Sequence, residues 1–292
     1  MTAAPATAAS VTPPVTQTSA GPGERPLLRS IGLVFILGGV FLLGFAGYLY
    51  GLSGVQEARS QTTMYAALSH QMGNALAAVG PTTPGKPIAV LDIPSIGVHH
   101  EVIVEGTSAE DLMLGPGHLR DTPLPGQGGV SEIYGRRATF GAPLGRLPQL
   151  RRGDLITVIT GQGKATYRVA ALGSSSQLVE DPAANRLVLL TAGSAYLPTY
   201  YTYVDADLIS AVKPEPGGLP PIFSSETALS GDSDALTLAL LWGVALVLVS
   251  AGATFAVIHW SPWPAYLIAV PVTLAVLWNL YQALAALLPN VY

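Results

Sequence analysis

Leu155-Ile156-Thr157-Val158-Ile159-Thr160 and Ala165-Thr166-Tyr167-Arg168-Val169-Ala170-Ala171 flank Gly161-Gln162-Gly163-Lys164. Two β-branched runs joined by a short glycine-containing link read as a β-hairpin. The same texture of short apolar runs between Gly/Pro turns extends both ways, through 88–93, 101–104, 186–191 and 202–206. Short strands at this spacing predict an antiparallel barrel or a sandwich. Thr107-Ser108-Ala109-Glu110 carries the signature of the N-terminal cap of one short helix.

Outside this stretch the chain becomes apolar. Of 292 residues 49% are hydrophobic and 11% charged, against about 25% charged in an ordinary soluble domain. The 32 glycines and 24 prolines argue equally against an all-helical bundle. Two populations are therefore expected, membrane helices and a strand-rich folded part. Residues 30–55 contain no charge, and 31–52 are almost continuously apolar. Crossing the hydrocarbon layer takes roughly 20 such residues, and a cleaved signal peptide has a shorter core of about 7–15, so an uncleaved signal anchor is expected. Arg25 and Arg29 precede it, which predicts a cytoplasmic N-terminus and an exported main domain.

Two further apolar runs, 236–258 and 264–288, are joined by His259-Trp260-Ser261-Pro262-Trp263-Pro264 and predict a helical hairpin. All four tryptophans, Trp242, Trp260, Trp263 and Trp278, fall in it. The expected organisation is a disordered cytoplasmic tail (1–29), a transmembrane signal anchor (30–55), a helical stalk with Met64, Leu68, Met72 and Leu76 at helical spacing (56–80), a β domain (81–212), a linker (213–235) and the two membrane helices. Gly47 and Gly51 have the spacing of a close-packed helix pair. The membrane runs hold no acidic or basic side chain, so no ion pathway is expected.

Composition also narrows the chemistry. With no cysteine, disulfides, thiolate metal sites and a catalytic thiol are excluded. A net charge of -4 without a basic run gives no footprint for nucleic acid. Adjacent His99 and His100 are expected to point to opposite faces of a strand, which argues against a shared metal. No cofactor is expected.

The order of several segments is similar to the sortase transpeptidases of Gram-positive bacteria, especially the actinobacterial class E and class F types. The resemblance runs from about Arg59 to Leu208 and rests on Pro87-Ile88-Ala89-Val90-Leu91-Asp92-Ile93-Pro94, Val104-Glu105-Gly106-Thr107-Ser108, Gly115-Pro116-Gly117-His118 with Thr122-Pro123-Leu124-Pro125-Gly126-Gln127, Gly135-Arg136-Arg137-Ala138-Thr139-Phe140-Gly141-Ala142-Pro143, and Leu150-Arg151-Arg152-Gly153-Asp154. The fold it implies is an eight-stranded barrel with short helices; with the three transmembrane helices read from the apolar runs, the expected class is mainly β plus three membrane helices. Sortases cut a sorting signal with a cysteine thiolate, aided by a histidine and an arginine. The resemblance places Arg136 at the histidine position, Ala192 after Leu189-Leu190-Thr191 at the cysteine position, and Tyr201 at the arginine position. An alanine methyl cannot attack a carbonyl, and a guanidinium cannot serve as a base near neutral pH.

The resulting expectation is a pseudo-sortase, not an enzyme, acting as an extracytoplasmic binding or assembly subunit in the cytoplasmic membrane. Arg136, Arg137, Tyr196, Tyr200 and Tyr201 are its candidate binding residues, with Arg136 a hook for a peptide carboxylate. The expected partner is a cell-envelope or membrane protein, through lateral helix contacts or a sorting-signal-like peptide in the groove. The alternatives are a transpeptidase with a non-cysteine nucleophile, for which Ser194 and His118 are the candidates, and a purely structural role. His118 otherwise caps a Gly/Pro loop.

Overall fold

The computed structural model describes residues 24–80, 82–175, 183–194, 200–221, 229–259 and 262–292. The chain divides into two compact units, Met1–Gly44 and Phe45–Tyr292, and the barrel and site lie wholly in the second.

Eight strands close a barrel: β1 (Pro87–Ile93), β2 (Val98–Glu105), β3 (Gly117–His118), β4 (Val130–Tyr134), β5 (Leu155–Thr160), β6 (Gly163–Ser174), β7 (Arg186–Ala192) and β8 (Tyr201–Leu208), in the order β1-β2-β3-β4-β7-β8-β6-β5. The hairpin read from sequence is β5–β6, with Thr160 opposite Gly163. Along it Ile156, Val158, Ala165, Tyr167 and Val169 alternate inward and meet Ile88, Leu91, Ile103, Ile133, Leu187, Leu189 and Val204 in one core. The barrel is mixed rather than antiparallel, because β3 runs parallel to β2 and β7 parallel to β4. Parallel neighbours need a crossover; between β2 and β3 it is α3 (Ala109–Leu112). Ser108 caps α3, its Oγ accepting from Asp111 N while the Asp111 carboxylate accepts from Ser108 N, so Asp111 rather than Glu110 closes the capping box.

His100 has φ 56°, at an irregularity in the β1–β2 register, and His99 and His100 are both exposed. One expectation on a histidine is corrected. His118 is a strand residue of β3, buried, and not a loop cap.

Helix α1 (Glu24–Gly47) is followed by a single π-helical turn, Tyr48–Leu52, and α2 (Ser53–Gly73). The expected stalk is a docked helix. Leu68 of α2 packs with Val90 and Val102, and the Gln61 amide accepts from Val102 N at 2.7 Å and donates to Leu114 O at 2.9 Å. Among the described residues three helices are long and apolar enough to cross a membrane, Leu28–Gly73, Ala235–His259 and Trp263–Ala286. The last two lie within α4 (Ala235–His259) and α5 (Pro262–Ala286). Among the described residues nothing lies within 4 Å of where a side chain on Gly47 or Gly51 would project, so the chain places no helix of its own on that pair. Trp260, in the aromatic turn, lies outside the described residues.

Candidate functional site

Three strands bring the candidate positions to one end of the barrel. Ala192 is the last residue of β7 and faces Tyr201, the first of β8. Tyr134 ends β4 opposite Leu190, so the chain leaving β4 reaches Arg136 and Arg137 beside the same corner. Gly135 N donates to Leu190 O at 3.0 Å and Thr191 Oγ1 to Gly135 O at 2.8 Å, which pins that exit. The Arg137 guanidinium then reaches Ala192 O at 3.4 Å.

Arg136 is not the groove-facing hook expected from sequence. Its exposure is 0%. Nε donates to Leu112 O at 3.0 Å, Nη2 to Ala109 O at 3.3 Å and Nη1 to Thr139 Oγ1 at 3.3 Å, and the guanidinium stacks 4.7 Å from the Phe140 ring centre. Burial pushes its pKa down to about 9, so the cation persists at neutral pH. With two donors on the carbonyls of the first and last residues of α3 and a third on the Thr139 hydroxyl, Arg136 fastens that helix under the site.

The corner is filled by the chain itself. After α5, Pro289, Asn290, Val291 and Tyr292 form a turn closed by Tyr292 N donating to Pro289 O at 2.9 Å. Val291 is fully buried among Leu112, Tyr134 and Ala192, with Leu119, Leu190 and Tyr201 at the edges. Its carbonyl accepts from Arg137 N at 3.0 Å. The main-chain oxygen of Tyr292 accepts from Ala138 N at 3.1 Å, Thr139 N at 3.3 Å and Thr139 Oγ1 at 3.1 Å. Asn290 Nδ2 donates to Thr107 O at 3.3 Å. Sequence reasoning missed these residues. The available signal was a valine and a tyrosine beyond the helix-ending Pro289, but nothing local pairs Tyr292 with Thr139, 153 positions away.

The tyrosines differ in their placement. Tyr201 donates its hydroxyl to Leu229 O at 3.1 Å. Tyr200 is 40% exposed and covers Gly193, where a side chain would start 2.2 Å from its ring; glycine is what lets the ring lie there. Tyr196 lies outside the described residues. His118 faces the Glu105 carboxylate with Nδ1 at 3.5 Å, and its Nε2 is 3.1 Å from both Pro123 O and Thr122 Oγ1. Arg120 Nε lies 3.8 Å from the other Glu105 oxygen. This buried cluster encloses the imidazole; its Glu105 and Arg120 members were not foreseen from the sequence. Among the described residues no group of three or more metal-ligating side chains gathers.

The model of the sortase domain family matches residues 91–204. Over that stretch the chain is similar to a sortase domain. Sortase D of Bacillus subtilis (strain 168) is 34% identical over 85 residues, 29% of this chain and 41% of that protein, so the match spans less than half of the curated relative's length. Among solved structures, sortase E of Streptomyces avermitilis is 31% identical with a TM-score of 0.39, over 44% of this chain and 91% of that one. A sortase D5 transpeptidase of Clostridium perfringens is 21% identical with a TM-score of 0.43, over 52% of this chain and 99% of that one. Sortases are transpeptidases, so the family points to an enzyme. That corrects the expectation that the chain is not one. Because the chain has no cysteine, a thiolate is not its nucleophile.

Proposed function

We propose that this sortase-family protein is a membrane-anchored, extracytoplasmic binding and assembly subunit of the cell envelope, of the actinobacterial class E or class F kind. In this reading the barrel stands outside the cytoplasmic membrane, and its end at Ala192 and Tyr201 holds a peptide segment of a partner protein. One observation carries it: that corner already holds a four-residue turn, with consecutive main-chain oxygens on the amides of Arg137, Ala138 and Thr139. Main-chain amides that take main-chain oxygens recognise peptide irrespective of its side chains, and the apolar seat beside them adds selectivity. Three apolar helices, where one would suffice as a tether, support lateral contacts with a membrane partner.

The test is affinity purification of the full chain from its native membrane. Ala192→Trp should fill the seat and release the partner, whereas Leu267→Ala, at a site 78% exposed on α5, should release only a partner held by the hairpin. A partner retained by Ala192→Trp would remove the barrel end from the proposal. The second reading, a transpeptidase using a hydroxyl nucleophile, is supported by the family and leaves Ser194, two positions past Ala192, as its candidate. A covalent adduct with a sorting-signal peptide, lost in Ser194→Ala, would establish it over simple binding.

A further inference from the structure

Building on the peptide-binding reading of the barrel end, we infer that residues 289–292 are a resident, displaceable occupant of that site. The ligand they stand in for is a peptide turn with a β-branched aliphatic side chain followed by an aromatic one. Two independent features carry this. The seat is shaped for one branched side chain: Val291 is fully buried against the small Ala192 methyl, walled by Leu112 and Tyr134. The cradle is made for main chain: Arg137 N, Ala138 N and Thr139 N all point at oxygens of this segment and at none of the barrel's own. Removing the segment with nothing in its place would hand these three neighbouring amides to water and empty the apolar seat of Val291. A peptide offering the same oxygens and the same side chain would take the same amides and the same seat, so it and this segment exclude each other.

The tether sets where the occupant comes from. Leu287 and Leu288 lead off α5, and a side chain at Gly231 would start 2.2 Å from Leu287 O, so the approach of α4 is packed directly on this link. Asp232 N donates to Ala286 O at 2.9 Å and Asn290 N to Ser230 O at 3.3 Å. The Tyr292 hydroxyl is hydrogen-bonded to that of Tyr50 in the π-helical turn. Occupancy of the barrel end is thus joined to the membrane hairpin. A partner that shifts the hairpin frees the site, and a peptide that takes the site frees the link.

The cysteine-free chain permits a clean test on the full-length protein in nanodiscs. Val291→Cys and, as an exposed reference, Leu155→Cys (wild-type exposure 48%) are each labelled with a maleimide. Val291→Cys should react at least about ten-fold more slowly than the reference, and an excess of the acetylated, amidated pentapeptide Leu-Pro-Asn-Val-Tyr should speed it several-fold. The same peptide with aspartate in place of valine should not. Equal rates for the two positions would overturn residence; slow labelling that no peptide accelerates would overturn displacement. Fluorescence anisotropy of the labelled pentapeptide separates this from the site reading itself. Val291→Asp, which expels the segment, should bind it about ten-fold tighter than wild type. Equal binding by both, at unchanged thermal stability, sinks the occupant and keeps the site, whereas no binding by either sinks the site.

Discussion

Arg136 and Glu101 are the residues whose burial most constrains the chain's behaviour. Arg136 holds two carbonyls of α3 and the Thr139 hydroxyl with a planar fork that a lysine cannot reproduce. Arg136→Lys should therefore cost about 1–3 kcal/mol in denaturant unfolding of the detergent-solubilised chain. Glu101 lies on β2 and shares a side-chain hydrogen bond with Glu57; burial raises its pKa above the ordinary 4.5. The folded state then favours the protonated form, so from pH 4.5 upward the folded chain holds more protons than the unfolded one. Stability is fully present below that pH and is lost as pH rises through the folded value. Glu101→Gln keeps the neutral amide at every pH, and should show a higher melting temperature at pH 7.5 and a flatter profile above pH 4.5. At this scale the sequence identified Arg136 and Ala192 as positions of interest through their motifs, but burial is a property of the assembled barrel. The local Gly135-Arg136-Arg137 segment carries no sign that the first arginine is enclosed while the second reaches the site.

Among the elements, legibility followed how strongly one face of each strand is committed to the core. β5 buries every second position, Ile156, Val158 and Thr160, and its bounds were read as they stand. β3, two residues long, has no period to read, and in β4 Ser131 is buried where the pattern calls for an apolar side chain. β7 matters most for the site, because its inward Leu189 supports the core and its end presents Ala192. Leu189→Ala should destabilise by about 2–5 kcal/mol, the range for a fully buried leucine. Ser108→Ala removes one side of the α3 capping box and should cost about 1 kcal/mol. Since α3 presents the carbonyls that hold Arg136, that variant should also loosen the seat of Val291, seen as faster labelling of Val291→Cys. The crossovers that make the barrel mixed were not legible, because parallel pairing depends on which strands end up adjacent and not on any one strand's composition.

For the whole molecule, apolar length alone gave the three helices, among the described residues, that are long and apolar enough to cross a membrane. What length could not give is that a helix leading on from the first of them docks on the barrel through Gln61 and Leu68, or that the chain beyond the last returns to the barrel end. Both are long-range contacts; the first segment reads locally as a simple stalk, and the second carries no local signal of its partner. The same connectivity places the site where a membrane partner and a peptide could each act on it. Amide hydrogen exchange of the full chain in nanodiscs, followed at Arg137, Ala138 and Thr139, reads that arrangement most directly. Docking of a peptide at the barrel end predicts slow exchange at these three amides in the wild type, fast exchange in Val291→Asp, and slow exchange again when the pentapeptide is added to that variant. Identical exchange in all three conditions would mean that the barrel end holds no peptide at all.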